Sequence, residues 1–367
     1  KGHEFVTSEL RQDKLTNEFL DCFFSSKDSH RAVATLKEGA SRRQPAEWEQ
    51  NLISLLESTP PDSSLIPKVK IAETFTKPPI YNLPDLSAVQ EKQRLFEERQ
   101  EKEVALISSN SNFYSVRDNE SYLRNSSSTI EVSVVITSYN YKKYLPKCLQ
   151  SVKEQKLKQL AGKLEIIVVD DCSSDDSSQV ASGFLGQVDI PARVVSKHVN
   201  SGCIRSRMLG AELARGKYIF VVDADNYLLS NCLENLYRTA EANPESAGAY
   251  GVIGCFQENA KNPLLGTGLV SALSWNPFAL LRQNYIDAMA LLKRDTFFTI
   301  GGYDEKLCKG LAQGFEDYDL WLTYSSKAQA LSFYPNLVGM YRQGEGSMIS
   351  TCKLFQDKFA QRFLEKY

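Results

Sequence analysis

Lys217–Leu228 reads KYIFVVDADNYL. The run Tyr-Ile-Phe-Val-Val is too short and too β-branched for a helix, so it is expected to form a buried strand, and it runs without a spacer into Asp223-Ala224-Asp225-Asn226. Successive side chains of an extended chain point to opposite faces. Where a strand breaks into a loop, however, both acids of Asp-x-Asp can turn toward one hard cation, which makes Asp225 and Asp223 a candidate site for Mg²⁺ or Mn²⁺. An Asx turn that merely closes the strand is the plainer alternative.

The residues before this stretch repeat its pattern. Short apolar runs at Val132–Thr137, Leu164–Val169, Ala192–Ser196 and Lys217–Val222 alternate with helical periods at Lys142–Glu154, Asp175–Phe184 and Cys203–Ala214. That alternation predicts an α/β, Rossmann-like fold: a mostly parallel central sheet flanked by helices on both faces. Ligands of such sheets bind beyond the carboxyl ends of the strands. The polar residues fall there: Thr137-Ser138-Tyr139-Asn140 after the first strand, Asp170-Asp171 after the second, and Asp223 and Asp225 after the fourth. Tyr139 offers a ring face for stacking, Asp171 an acceptor for a base imide, and Arg207 a cation that could reach a phosphate or pin a carboxylate. Arg205 reads better as a surface ion pair.

Beyond Gly248 the pattern is mixed. Ala249–Gly254 and Met289–Lys293 read as strands, Phe315–Ser326 as a helix opening on Glu316-Asp317, and Leu331–Tyr334 with Leu337–Arg342 as a closing pair of strands. The acids at 316 and 317 either complement the helix dipole or do chemistry. The segment 258–276 reads as a loop.

The amino-terminal part has another texture. Residues 1–59 read as amphipathic helices, and the prolines at 60, 61, 67, 78, 79 and 84 favour an extended linker. Ser87–Ile107 reads as a helix whose charged run 97–103 is a solvated face, and Asn110–Thr129 as a polar loop or disordered segment with N-x-S sequons at Asn119 and Asn125. The expected domains are therefore 1–130, a helical extension and linker; 131–350, the α/β domain; and 351–367, a carboxyl-terminal amphipathic helix. This last stripe of Phe355, Phe359 and Phe363 beside Lys358, Arg362 and Lys366 either docks on its own protein or makes peripheral membrane contact.

Bulk properties narrow the function classes. Among 367 residues, 42% are hydrophobic and 24% charged, with a formal net charge of −2, so a sizeable core is expected and no nucleic-acid partner. Eight cysteines occur without a C-x-x-C pair and with only three histidines, a pattern that disfavours structural zinc and suits the reducing cytoplasm. No apolar run approaches bilayer length, and the start lacks both an initiator Met and a signal peptide, as in a piece of a larger multidomain chain.

Residues 131–350 resemble a GT-A glycosyltransferase of family 2, the inverting transferases that use nucleotide sugars. The resemblance is carried by motifs in order: VSVVITSYNYKKYLPKCLQSV, EIIVVDDCSSDDS, NSGCIRSRMLGAELARGKYIFVVDADN, GGYDEKL, GFEDYDLWL and YRQGEGSMIS. It implies that Thr137, Tyr139, Asn140 and Asp171 bind the base side of the donor, Asp223 the ribose side and Asp225 the metal. Arg207, Tyr341, Arg342 and Ser347 would serve the diphosphate, Asp317 would take the acceptor's proton, and Glu316 would position Asp317. Gln343-Gly344-Glu345 stands where many relatives carry a histidine, and Met208 where the family often has Asn. The Gln-x-x-Arg-Trp motif of processive synthases is missing. The expected activity is transfer from a UDP-sugar to a hydroxyl of a glycan or glycolipid acceptor, as in polysaccharide biosynthesis. Two other classes stay open, a sugar-nucleotide nucleotidyltransferase and a non-catalytic carbohydrate-binding domain of a larger synthase.

Overall fold

The computed structural model describes residues 86–108, 113–124, 129–257, 265–304, 314–343 and 366. The chain divides by its contacts into Tyr81–Phe359 and a second unit of Lys1–Ile80 with Ala360–Tyr367. Apart from Lys366, every described residue lies in the first unit. The expected helices of 1–59, the proline-rich linker and the carboxyl-terminal stripe fall outside the described residues.

In chain order the elements are α1 (Leu86–Ser108), β1 (Tyr114–Asp118), α2 (Glu120–Arg124), β2 (Val132–Ser138), α3 (Leu145–Lys153), β3 (Leu164–Asp170), α4 (Ser177–Leu185) and β4 (Ala192–Lys197). They continue with α5 (Cys203–Leu213), β5 (Tyr218–Asp223), β6 (Tyr227–Leu228), α6 (Cys232–Glu241), β7 (Gly248–Gln257) and β8 (Leu265–Val270). The last are α7 (Pro277–Arg282), β9 (Ala290–Lys293), α8 (Arg294–Thr299), α9 (Glu316–Ser326) and β10 (Ser332–Arg342). The strands order as β1-β4-β3-β2-β5-β9-β7-β10-β6, with β8 added to β7.

The first half of this sheet is parallel: β4, β3, β2 and β5 pair as βαβ units. Both faces of their strands are buried, which explains why β2 and β3 read as continuous apolar runs instead of alternating ones. Val132, Val134 and Ile136 enter the core shared with Leu149 and Val152 of α3. Val135, of opposite parity, meets α5, where a Cβ built on Gly210 would lie 2.3 Å from the Val135 Cγ1. Glycine at 210 thus lets α5 approach the sheet closely, over the strand ends.

The second half is mixed. β9 runs antiparallel to both β5 and β7, β10 is parallel to β7, and the edge strands β1, β6 and β8 are antiparallel to their neighbours. This is the α/β fold with a GT-A-like mixed sheet.

Several local expectations need correction. Residues 110–129 contain β1 and α2. β1 caps the β4 edge with its middle three residues exposed, so it never needed an apolar signature. Asn119 opens α2: its Oδ1 accepts from the Tyr122 amide at 2.8 Å while its Nδ2 donates to the Val188 and Ile190 carbonyls. Held this way and 8% exposed, that sequon asparagine is not presented for glycosylation. The expected strand pair at 331–342 is one strand, β10, with register irregularities at Tyr334/Leu337 and Leu337/Gly339. Part of the expected loop 258–276 is β8, hairpinned onto β7. Among the described residues no helix is long and apolar enough to cross a membrane.

Candidate active site

Parallel register sets the strand ends level. Thr137 pairs with Asp223 across β2 and β5, and Ser138 with Asp170 across β2 and β3, so all three strands stop along one line. The Thr137 hydroxyl donates to Asp223 at 2.9 Å. Asp171, 3% exposed, accepts from the Ser201 amide at 3.1 Å and the Gly202 amide at 2.7 Å, and Lys197 Nζ lies 2.8 Å away. Burial raises its carboxyl pKa, with Lys197 and the two amides opposing. A base imide reaching Asp171 has to share oxygens already holding internal donors.

Tyr139 is 39% exposed at the rim, in keeping with a stacking role. Asn140 does something else. With φ at 56° it turns the chain, its amide donates to Ser173 Oγ, and its Oδ1 accepts from the Ser174 amide at 2.8 Å. It ties the loop after β2 to the loop after β3.

Gly202, with φ at 96°, starts α5, and α5 delivers Arg207. This arginine is 2% exposed. It grips Asp223 with Nη2 2.9 Å from each carboxylate oxygen, and its Nη1 donates to Glu316 Oε1 at 2.6 Å. Tyr303, of the GGYDE motif, sets its ring 5.7 Å from the guanidinium. Of the two roles open to Arg207 in the sequence, pin and phosphate ligand, the structure realises the pin. It leaves Asp223 held by Arg207 and Thr137 and makes Glu316 a brace between α9 and the strand ends. Arg207 Nε and Glu316 Oε2 are buried without a hydrogen-bond partner.

Around this pin lie carboxylates short of positive charge. Burial, then the nearby Asp223, push Asp225 up to about 7, with its own backbone amide and Arg342 opposing. Asp317 is also raised, by burial first and then by Glu316 and Asp287. Its Oδ2 accepts from Asn284 Nδ2 at 3.0 Å and its Oδ1 from the Tyr318 amide at 2.7 Å. Tyr341 is raised by burial and by Asp287, Asp225, Asp223 and Asp317, which places its phenol among them.

Arg342 lies 4.1 Å from the Tyr144 ring and 4.8 Å from the Phe256 ring, and its Nε donates to the Asp225 carbonyl at 3.1 Å. Asn226 Oδ1 accepts from the Arg342 amide at 3.0 Å, so β6 and β10 lock the Asp-x-Asp loop in place. Arg205 Nε stands 3.9 Å from Glu103, an ion pair as expected. Ser347 lies outside the described residues.

Asp287 and Asn284 were missed in the sequence. Trp321 of α9 donates to the Ile286 carbonyl at 2.9 Å, and this draws the segment before β9 against the site. Asp287, held up at about 6 by burial and then by Asp223, accepts from the Met289 amide at 2.9 Å. The signal available was an aspartate entering the apolar run Ala288–Leu292, the mirror of Asp223 leaving one.

Asp225 suits a hard dication. Asp223 and Asp287 act on it against a single arginine, and oxygen is the donor such ions prefer. Among the described residues no group of three or more His, Cys, Asp or Glu side chains converges as a protein-only metal cage.

Strand-end loops, a buried arginine pin and buried carboxylates with raised pKa values thus gather at one end of the sheet. Residues 133–303 match the family model described as Glycosyl transferase family 2. Similar proteins include glycosyltransferase GlyG of Streptococcus pneumoniae, 36% identical over 110 residues that make up 30% of this chain and 35% of GlyG. An uncharacterised glycosyltransferase of Haemophilus influenzae is 26% identical over 193 residues, 52% of this chain and 60% of that protein. Poly(ribitol-phosphate) beta-N-acetylglucosaminyltransferase TarS of Staphylococcus aureus is 28% identical over 107 residues, 29% of this chain and 18% of TarS. The crystal structure of TarS 1–349 with UDP-GlcNAc aligns at 18% identity and a TM-score of 0.46, covering 60% of this chain and 61% of that one. The chain thus spans about a third to three fifths of the length of the first two relatives.

Proposed function

We propose that this chain is an inverting glycosyltransferase that moves a sugar, hexosyl or N-acetylhexosaminyl, from a UDP-linked donor to a hydroxyl of a glycan or glycolipid. The observation that carries the reading is the charge balance at the strand ends: Arg207 is consumed by Asp223 and Glu316, while burial raises Asp225, Asp287 and Asp317. Such a site has Arg342 beside Asp225 but more buried carboxylate than cation, which favours a divalent ion entering with the diphosphate.

Asp225 would hold Mn²⁺ or Mg²⁺. The ion would offset the charge gathering on the departing diphosphate. Tyr139 would stack on the base and Asp171 would accept from its imide N–H, while Asp223, fixed by Thr137 and Arg207, would face the ribose. Asp317 would hold the acceptor hydroxyl and take its proton as the oxygen attacks the anomeric carbon and the bond from that carbon to the phosphate oxygen breaks. A single displacement of this kind inverts the anomeric configuration. The name of one relative, TarS, is that of an N-acetylglucosaminyltransferase, which supports the sugar class.

The test is a panel of nucleotide sugars with Mn²⁺ and a mixture of glycan acceptors, read by diphosphate release and by the anomeric proton coupling of the product. Release of UDP from one UDP-sugar, with inversion, is expected. Retention, or equal use of GDP- and UDP-sugars, would refute the assignment.

A further inference from the structure

The helix α1 lies outside the matched segment 133–303. Its charged run suggests a solvated face, and part of it is one: Arg94 pairs with Glu91 at 2.7 Å and with Glu98 on exposed surface. Glu103 departs from that pattern at 3% exposure. It lies 3.4 Å from the Nζ of Lys197, whose side chain is fully buried, and Lys197 in turn lies 2.8 Å from Asp171 and donates to Ser201 Oγ. One turn before Glu103, Arg99 acts electrostatically on Cys172, the residue directly after Asp171. Thus α1 runs along the loop that follows β3.

Two buried carboxylates therefore share one buried ammonium. Arg205, 22% exposed and 3.9 Å from Glu103, offsets part of the second charge. A cation divided between two anions leaves each a stronger acceptor than a cation held by one. A buried ion pair that loses one member of its network also redistributes its charge instead of relaxing into water.

We propose that Glu103 is a positioning residue of the nucleotide site: by holding Lys197 away from exclusive pairing with Asp171, it keeps Asp171 competent to accept the imide N–H of a uracil base. This rests on the reading of Asp171 as the base acceptor given above. It assigns a specificity role to a helix that the family domain does not include.

The test is calorimetric titration of UDP and of CDP, Mn²⁺ present throughout, into the full chain and its Glu103→Gln, Glu103→Asp, Glu101→Gln and Asp171→Asn variants, each checked for folding by circular dichroism. Cytosine offers an acceptor at N3, so CDP reports on everything except the proposed contact. Glu103→Gln is expected to weaken UDP about three- to tenfold and to leave CDP within about twofold, the range of coupling through one shared partner. Glu103→Asp, which keeps the charge, should restore UDP binding to near native, and Glu101→Gln, exposed on the same helix, should change nothing. Turnover at saturating donor should stay within about twofold of native, so that the effect is on KM.

Equal losses for UDP and CDP in Glu103→Gln would make Glu103 a structural brace and overturn the proposal. So would native UDP affinity in Glu103→Gln when Asp171→Asn binds UDP poorly, and in that case the reading of Asp171 survives. If Asp171→Asn itself binds UDP normally, that reading fails and the proposal falls with it. Should Glu103→Gln not fold, Glu103→Ala, which also removes the charge, decides: a UDP-to-CDP affinity ratio below native supports the proposal and a native ratio overturns it.

Discussion

The two halves of the sheet treat their carboxylates in opposite ways. In the parallel half, Asp171 has two amides and a lysine, and Asp223 has a threonine and one nitrogen of an arginine fork held against both its oxygens. In the mixed half and at the junction between the two, burial first and neighbouring acids second raise Asp225, Asp287 and Asp317. The first half is a finished structure that supports a ligand. The second stores electrostatic imbalance that a cation and substrate can relieve, the usual arrangement where chemistry is done. Arg207 is the hinge of the comparison, since it bonds the finished Asp223 on one side and Glu316, neighbour of Asp317, on the other.

Removing that arginine should have the largest effect. Arg207→Met leaves Asp223 and Glu316 without their shared cation in a buried setting, and should destabilise the domain by about 3–5 kcal/mol and abolish transfer. A denaturant midpoint close to native would show that the two halves are not tied through this residue.

Next in size is Asp317→Asn, which should cost about 10²–10⁴ in turnover while UDP affinity stays near native. Only the carboxylate form can accept the hydroxyl proton, and burial, Glu316 and Asp287 raise its pKa. The rate should therefore rise with pH along an acid limb lying above the range of an ordinary aspartate. The variant should lose that limb as well as the rate; a variant that kept it would assign the titration elsewhere.

At the junction, Asp225→Asn or chelation with EDTA should weaken UDP binding by about tenfold or more, since a charge pair at 4 Å and an effective dielectric of ~20 is worth about 4 kcal/mol before desolvation is subtracted. Calorimetric affinity unchanged in EDTA would remove the cation from the reading.

The smallest effect sharpens the contrast most directly. Asp287 is held at about 6 in the fold against the ordinary 3.8, so the folded protein binds that proton more tightly than the unfolded chain does. The penalty is nil below pH 3.8, grows as the pH rises through about 6, and is then constant. In chelated protein, Asp287→Asn should therefore stabilise by about 1–3 kcal/mol at pH 8 and not at all at pH 3.5. The same gain at both pH values would mean that its charge is already matched in the fold.

The parallel half was largely legible in the sequence because burial on both faces leaves one local signal, an uninterrupted β-branched run, followed at once by the polar residues of the strand end. The ordered motifs then placed Asp171, Asp225 and Glu316-Asp317 at element ends, where the structure also has them. Edge pairing left no such mark. β1 has three exposed central residues, and β10 carries two register breaks that read as a gap.

What the sequence determined by itself is the order of strands, helices and strand-end acids along the first half of the domain, since hydrophobic periodicity and turn chemistry act over a few residues. Partnership was decided only by the tertiary structure. That Arg207 on Asp223 also reaches Glu316, 109 positions further on, that Trp321 brings Asp287 to the site, and that Glu103 reaches Lys197 from 94 residues away depend on which elements share a sheet end. Charges interact through space and not along the chain, so the protonation and the role of each acid follow from neighbours that no local pattern names.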